Sequence, residues 1–194
     1  PQGLRFARNI LVAFIPAAIL GLLLKDHIDV LLQSPRVVGW TLVLGGIAII
    51  GIERVVAPGD DVPVAELPLL RVLGIGVAQC LAMVPGVSRS GATIMGALGL
   101  GIGRKTAAEF SFFLAVPTML GASTLELIDK RDQLTAGAMT VGWGQIATGF
   151  VVSFAVAMAV IKAFVAYVSR HGFAPFAWYR IVVGAIAIAW LALR

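Results

Sequence analysis

The run Pro85-Gly86-Val87-Ser88-Arg89-Ser90-Gly91-Ala92-Thr93 sets one arginine and three hydroxyls inside an otherwise uncharged apolar stretch. Between Val72 and Gly103, Arg89 is the only charged residue. A cation at membrane depth costs about 2.5–3.5 kcal/mol on insertion scales, so it usually lines a cavity and meets an anion. The residue types around Arg89 suit one kind of anion. The planar guanidinium matches the oxygens of a phosphoryl group, and Ser88, Ser90 and Thr93 can donate to the oxygens that remain. A proline–glycine break followed by a helix start adds unpaired backbone N–H groups backed by the positive end of the helix dipole. Gly86 and Gly91 let backbone approach such a ligand closely. With the helix begun by Arg89, Arg89 and Thr93 are four residues apart and share a face.

Each part also has a plainer reading. Ser88 or Ser90 can cap the second helix, and Thr93 can bond back to the carbonyl four residues earlier. Arg89 can pair with a buried acid, Glu109 being the nearest in sequence. Capping alone needs no arginine at membrane depth, so the phosphate reading is preferred. Gln79 lies six residues before Pro85, where an amide must find hydrogen bonds. It is either a helix–helix contact or a wall of the same pocket.

The elements that must position these groups follow from hydropathy. Of 194 residues, 59% are hydrophobic and 13% charged, with a mean hydropathy of +0.97, too apolar for a domain whose whole surface is solvated. Five segments read as membrane helices, about Asn9–Leu24, Val37–Val56, Thr106–Ile128, Gly142–Val168 and Pro175–Leu193. The first is short and contains Pro16, a kink that membranes tolerate when neighbours satisfy the freed carbonyl. The apolar region 70–101 is too long for one span and is broken near its centre by Pro85-Gly86. Its arms, Leu70–Val84 and Ser88–Leu100, are each about 20 Å long, which reaches the midplane without crossing. The expected fold is therefore an all-α polytopic membrane protein. It has five membrane helices plus one re-entrant helix–loop–helix, all within a single membrane domain over 1–194. The paired small residues Ala92/Gly96, Ala97/Gly101 and Gly99/Gly103 let the second arm pack closely.

Charge sets the expected sidedness. With 70–101 re-entrant, Arg5, Arg8, Arg54, Arg71, Arg104, Lys105, Arg170 and Arg180 fall on one side, expected to be cytoplasmic. Lys25, Arg36, Lys130, Arg131 and Arg194 fall on the other. Topology and anionic lipid headgroups account for the net charge of +5, so no nucleic acid partner is needed. Cys80, the single cysteine, reads as a small core residue, and His27 and His171 fall in predicted loops. No Walker loop, no His/Cys metal cluster and no nucleotide fingerprint is present in the sequence.

At these residues the chain resembles the undecaprenyl-diphosphate phosphatase family, also called the bacitracin-resistance proteins. Gln79-Cys80-Leu81-Ala82 running into Pro85 through Thr93 matches one family signature. Ala108-Glu109-Phe110-Ser111-Phe112-Phe113-Leu114-Ala115-Val116-Pro117 matches another stretch, and Pro175-Phe176 with Tyr179-Arg180 resembles the last helix. The resemblance covers the C-terminal two-thirds of a typical member. It implies an earlier re-entrant half, related by inverted repeat, with a glutamate-rich motif and a histidine that this sequence lacks. It also implies hydrolysis of undecaprenyl diphosphate to the monophosphate in the bacterial inner membrane, recycling the lipid carrier of cell-wall synthesis. The residues carried over are Arg89, Ser88, Ser90 and Thr93 as catalytic groups, with Gly86, Gly91 and Gln79 binding substrate. A divalent cation, magnesium or calcium, is implied, with ligands outside this chain. Partners are a prenyl diphosphate and membrane lipids, and the resemblance leaves room for a homodimer. The competing class is a transporter or flippase, since half-helices aimed at an anion also serve transport.

Overall fold

The computed structural model describes residues 2–57, 59–135 and 142–193. The described residues form eight α-helices with two short 3₁₀ segments and their connections, and no β-strand occurs among them. They are α1 (Gln2–Leu23), α2 (Lys25–Leu32), α3 (Pro35–Val55), α4 (Leu69–Cys80), α5 (Arg89–Gly99), α6 (Arg104–Thr135), α7 (Trp143–His171) and α8 (Ala174–Ala192). Helices α1, α3, α6, α7 and α8 are long and apolar enough to cross a bilayer. These are the five expected spans. Helix α1 starts seven residues earlier than its apolar run, because Gln2 to Arg8 extend the helix as a polar end, and Pro16 sits within it. Helix α6 likewise runs past both ends of its apolar segment.

Three placements differ from the sequence expectation. Residues 25–32, expected as a loop containing His27, form the short amphipathic helix α2. His171 is the last residue of α7, where its Nδ1 lies 3.2 Å from the Tyr167 carbonyl. Arg180, expected among interfacial charges, is 8% exposed and lies seven residues past Phe173 inside α8. Arg194 lies outside the described residues.

Between α3 and α6 the chain enters and leaves at one end. The Gly103 N–H donates to the Asp60 carbonyl at 3.1 Å, and Thr106 takes Asp61 through its N–H and the Val62 carbonyl through its hydroxyl. Helix α4 has 12 residues and α5 has 11, so each arm rises less than about 20 Å. A one-turn 3₁₀ segment, Leu81–Met83, follows α4. This is the helix–loop–helix expected over 70–101.

Small residues set its packing. Gly76 on α4 rests against the Ala13 backbone of α1, and Gly96 on α5 faces Ala78 on α4. Helices α3 and α8 run antiparallel at close range, with Gly39 against Gly184 and Gly46 against Ala177. Buried Asn9 ties α1 to the strap before α4, donating to the carbonyls of Val64 at 2.9 Å and Leu67 at 3.2 Å. Ile75, Val72, Phe110 and Leu114 fill the core between α1, α4 and α6. Helix α7, by contrast, leaves Phe150, Val151, Phe154 and Val156 exposed, as a lipid-facing helix does.

Candidate functional site around the start of α5

The chain reverses at Pro85-Gly86 against α3. Gly86 has φ +86°, a conformation that favours glycine, and a Cβ there would overlap the Val38 carbonyl and the Thr41 hydroxyl. The Thr41 hydroxyl contacts the Pro85 carbonyl. Gly86 therefore serves the close approach of the tip to α3, beyond the ligand approach expected of it. Its carbonyl accepts from Arg180 Nη2 at 2.8 Å, and a second bond from the same nitrogen reaches the Thr41 carbonyl at 3.4 Å.

Ser88 then opens α5. Its φ of 59° with ψ of 113° is the only positive φ at a non-glycine residue among the described residues. A side chain in this region costs of order 1–3 kcal/mol and persists only where the surroundings hold it. Here the Ser88 Oγ accepts from the Gly91 N–H at 3.2 Å as an N-cap and lies 3.3 Å from the Ser90 Oγ. The helix begins at Arg89, as the spacing predicts, so its first N–H groups have no carbonyl one turn back.

The expected single cradle is divided between two cavities on opposite sides of α5. Ser88, Ser90 and Gly91 line the smaller one, about 210 Å³, with Ile94 and Met95 of α5, Ile49 of α3, Phe164 of α7, and Tyr179 and Arg180 of α8. Arg89 and Gln79 line the larger one, about 640 Å³, whose other walls are mostly apolar residues of α1, the 3₁₀ turn and α6. Arg89 Nη1 donates to the Ser111 carbonyl at 3.1 Å, not to Glu109. The Lys25–Asp129 ion pair, at 2.9 Å, lines the far end of the cavity. The α6 residues that line this cavity run from Thr118 to Asp129, a rise of about 17 Å, so it is an elongated groove.

Gln79 is 2% exposed, and neither its Oε1 nor its Nε2 has a protein partner. An orphaned buried amide costs about 1–3 kcal/mol, so its place on the groove wall beside Arg89 favours a ligand-facing role over a helix contact. Thr93 lines neither cavity. It is fully buried, its hydroxyl 2.7 Å from the Ser111 Oγ and bonded to the carbonyls of Arg89 and Ser90. It thus fixes α5 to the residue whose carbonyl holds Arg89. No group of three or more His, Cys, Asp or Glu side chains among the described residues is placed to hold a metal ion.

Sequence reasoning missed Arg180 and Ser111. The signal for Arg180 was present, a charge inside a predicted span, which is the criterion that singled out Arg89. Ser111 acts partly through its backbone carbonyl, which no residue type reveals.

The family model described as Bacitracin resistance protein BacA matches residues 1–186. The chain belongs to this family. Among curated members, the undecaprenyl-diphosphatase of Novosphingobium aromaticivorans is 66% identical over all 194 residues, which cover 72% of that protein. That of Rhizorhabdus wittichii is 54% identical, again over the whole chain and 71% of the relative. The undecaprenyl-diphosphatase 2 of Paramagnetospirillum magneticum is 48% identical, with 73% of its length covered. The chain is thus a multi-pass membrane protein of the bacitracin-resistance family.

Proposed function

We propose that this chain carries the phosphoryl-binding part of an enzyme that hydrolyses undecaprenyl diphosphate to undecaprenyl phosphate and inorganic phosphate. The site is the bacterial inner membrane, the product is the recycled lipid carrier of cell-wall synthesis, and bacitracin resistance follows from that turnover. The observation that carries this reading is the start of α5. One half-buried helix N-terminus presents hydroxyls on one side and an arginine on the other, beside an apolar groove.

The groove takes the first isoprene units of the lipid, and Arg89 with Gln79 marks its polar end. Cleaving the phosphoanhydride spreads negative charge over the phosphoryl oxygens. Arg89, the first N–H groups of α5, Ser88 and Ser90 stabilise that charge in a site poor in water. Thr93 holds α5 and Ser111 in register, so Arg89 keeps its aim. The attacking group is a water or a serine. Its base is not supplied at α5, where the Ser88 Oγ contacts only a backbone N–H and another hydroxyl. The hydroxyls and guanidinium at α5 do not form a cation site. The resemblance implies a divalent cation, which would take acidic and histidine ligands from the earlier half of the family fold.

Transport is the less favoured alternative, because the relatives above are named for a hydrolase. The deciding experiment is phosphate release from a prenyl diphosphate, with and without divalent cation. It uses the purified chain alone and the chain joined to the remaining segment of the Novosphingobium aromaticivorans relative. Release by either form supports hydrolysis, and release only by the joined form places the base and metal groups outside this chain. Saturable binding without release by either form would move the assignment to transport.

A further inference from the structure

The structure assigns the 210 Å³ cavity between α3, α5, α7 and α8 as a phosphoryl-binding pocket whose cation is Arg180. The inference rests on the reading above, that the ligand is a diphosphate, and names a second basic group for it. Arg180 is 8% exposed, and its Nε is buried without a protein partner. A Cβ added to Gly91 would lie 3.8 Å from Arg180 Nη1, so the guanidinium lies over the first turn of α5. Two positive features thus meet at one place: a buried cation and the dipole end of a helix, whose Gly91 N–H is capped by the Ser88 Oγ. Among the described residues no carboxylate forms an ion pair with Arg180.

The two carbonyls that accept from Nη2 are neutral and would be served equally by an uncharged donor. They do not account for a full charge at this depth, where an unpaired ion is costly. An oxyanion does. It would take Arg180 Nε and Nη1, the Ser88 and Ser90 hydroxyls and the first N–H groups of α5. With Arg89 on the opposite side of the same helix start, the two phosphoryl groups of a diphosphate have one arginine each. The oxyanion bound here is either the terminal phosphoryl group of the substrate or the phosphate released from it.

The test is calorimetric binding of inorganic pyrophosphate and of inorganic phosphate to the purified chain in phosphatidylcholine nanodiscs. Both ions should bind saturably to the wild type and depend on Arg180, the larger dependence falling on phosphate if the product occupies this pocket and on pyrophosphate if the substrate's terminal phosphoryl group does. Arg180→Gln should weaken pyrophosphate binding at least about tenfold, the loss expected for one charge-assisted contact. Arg180→Lys, which keeps the charge, should recover part of it. Gly45→Ala gives an independent arm should Arg180→Gln fail to fold. A Cβ there overlaps Arg180 Nη2, so it displaces the guanidinium while leaving the charge in place, and binding should again fall. Thr41→Val loosens the tip by removing the hydroxyl from the Pro85 carbonyl, and it should leave binding within about threefold. Unchanged binding in Arg180→Gln would overturn the pocket, as would a Thr41→Val loss equal to that of Arg180→Gln, which would make Arg180 a tether alone. Loss in Arg89→Ala with none in Arg180→Gln removes this pocket and leaves the hydrolase reading standing. A wild type that binds neither ion removes both.

Discussion

The two cavities share one helix start and differ in almost everything else. The smaller is ringed by hydroxyls, a buried arginine and aromatic side chains, while the larger is a long apolar groove with one arginine and one unpaired amide at its end. A polar lipid with a charged head and a hydrocarbon tail needs both environments within a few ångströms of each other. A helix N-terminus at membrane depth supplies that boundary, because its backbone charge faces every side of the helix start while its side chains choose between them. Ser88 and Arg89 are adjacent in sequence and line different cavities, so one dipeptide separates the two environments.

The largest effect should come from Arg89→Ala, with phosphate release from a prenyl diphosphate falling by roughly 10²–10³, the loss typical of one transition-state donor. Release within a factor of a few of wild type would leave the groove without a chemical role. Gly86→Ala should follow. Its φ and the overlap with the Val38 carbonyl predict a stability loss of about 2 kcal/mol or more, read as a lowered unfolding temperature. No change would mean that the tip does not press on α3. Gln79→Leu should do two opposite things, because the orphaned amide costs stability and serves ligand. The unfolding temperature should rise, by as much as about 1–3 kcal/mol of added stability, while KM for the prenyl diphosphate increases. A rise in stability with an unchanged KM would detach Gln79 from the site. The smallest effect separates cap from strain at Ser88. Ser88→Ala loses the cap and keeps the unfavourable φ, costing about 1 kcal/mol, whereas Ser88→Gly relieves the φ and should cost only a few tenths. The reverse order in thermal unfolding would mean that the strain is not there.

Hydropathy made the five spans and the short-armed hairpin legible, because membrane crossing is set by the length of apolar sequence. The same signal failed at 25–32, where an eight-residue amphipathic helix has too few apolar residues to stand out. Chemistry at Ser88, Arg89 and Ser90 could be read from residue type, and so could the cap and the helix start. Which side of α5 each faces could not, since Arg89 turns to α6 through a backbone carbonyl of Ser111 and no side chain announces that bond. Arg180 was read as an interfacial charge because it lies near one end of its span. The close α3–α8 packing at Gly45 and Gly46 carries it beneath the tip instead.

Only noncovalent contacts join the tip of the hairpin to α3 and α8. It is held there by the Thr41 hydroxyl on Pro85 and by Arg180 on Gly86. Arg180 divides its donors: Nη2 goes to the Gly86 and Thr41 carbonyls, and Nε and Nη1 are left for an oxyanion. An anion on Nε and Nη1 would pin the guanidinium whose Nη2 holds the turn, so occupancy and tip position become linked quantities that stabilise one another.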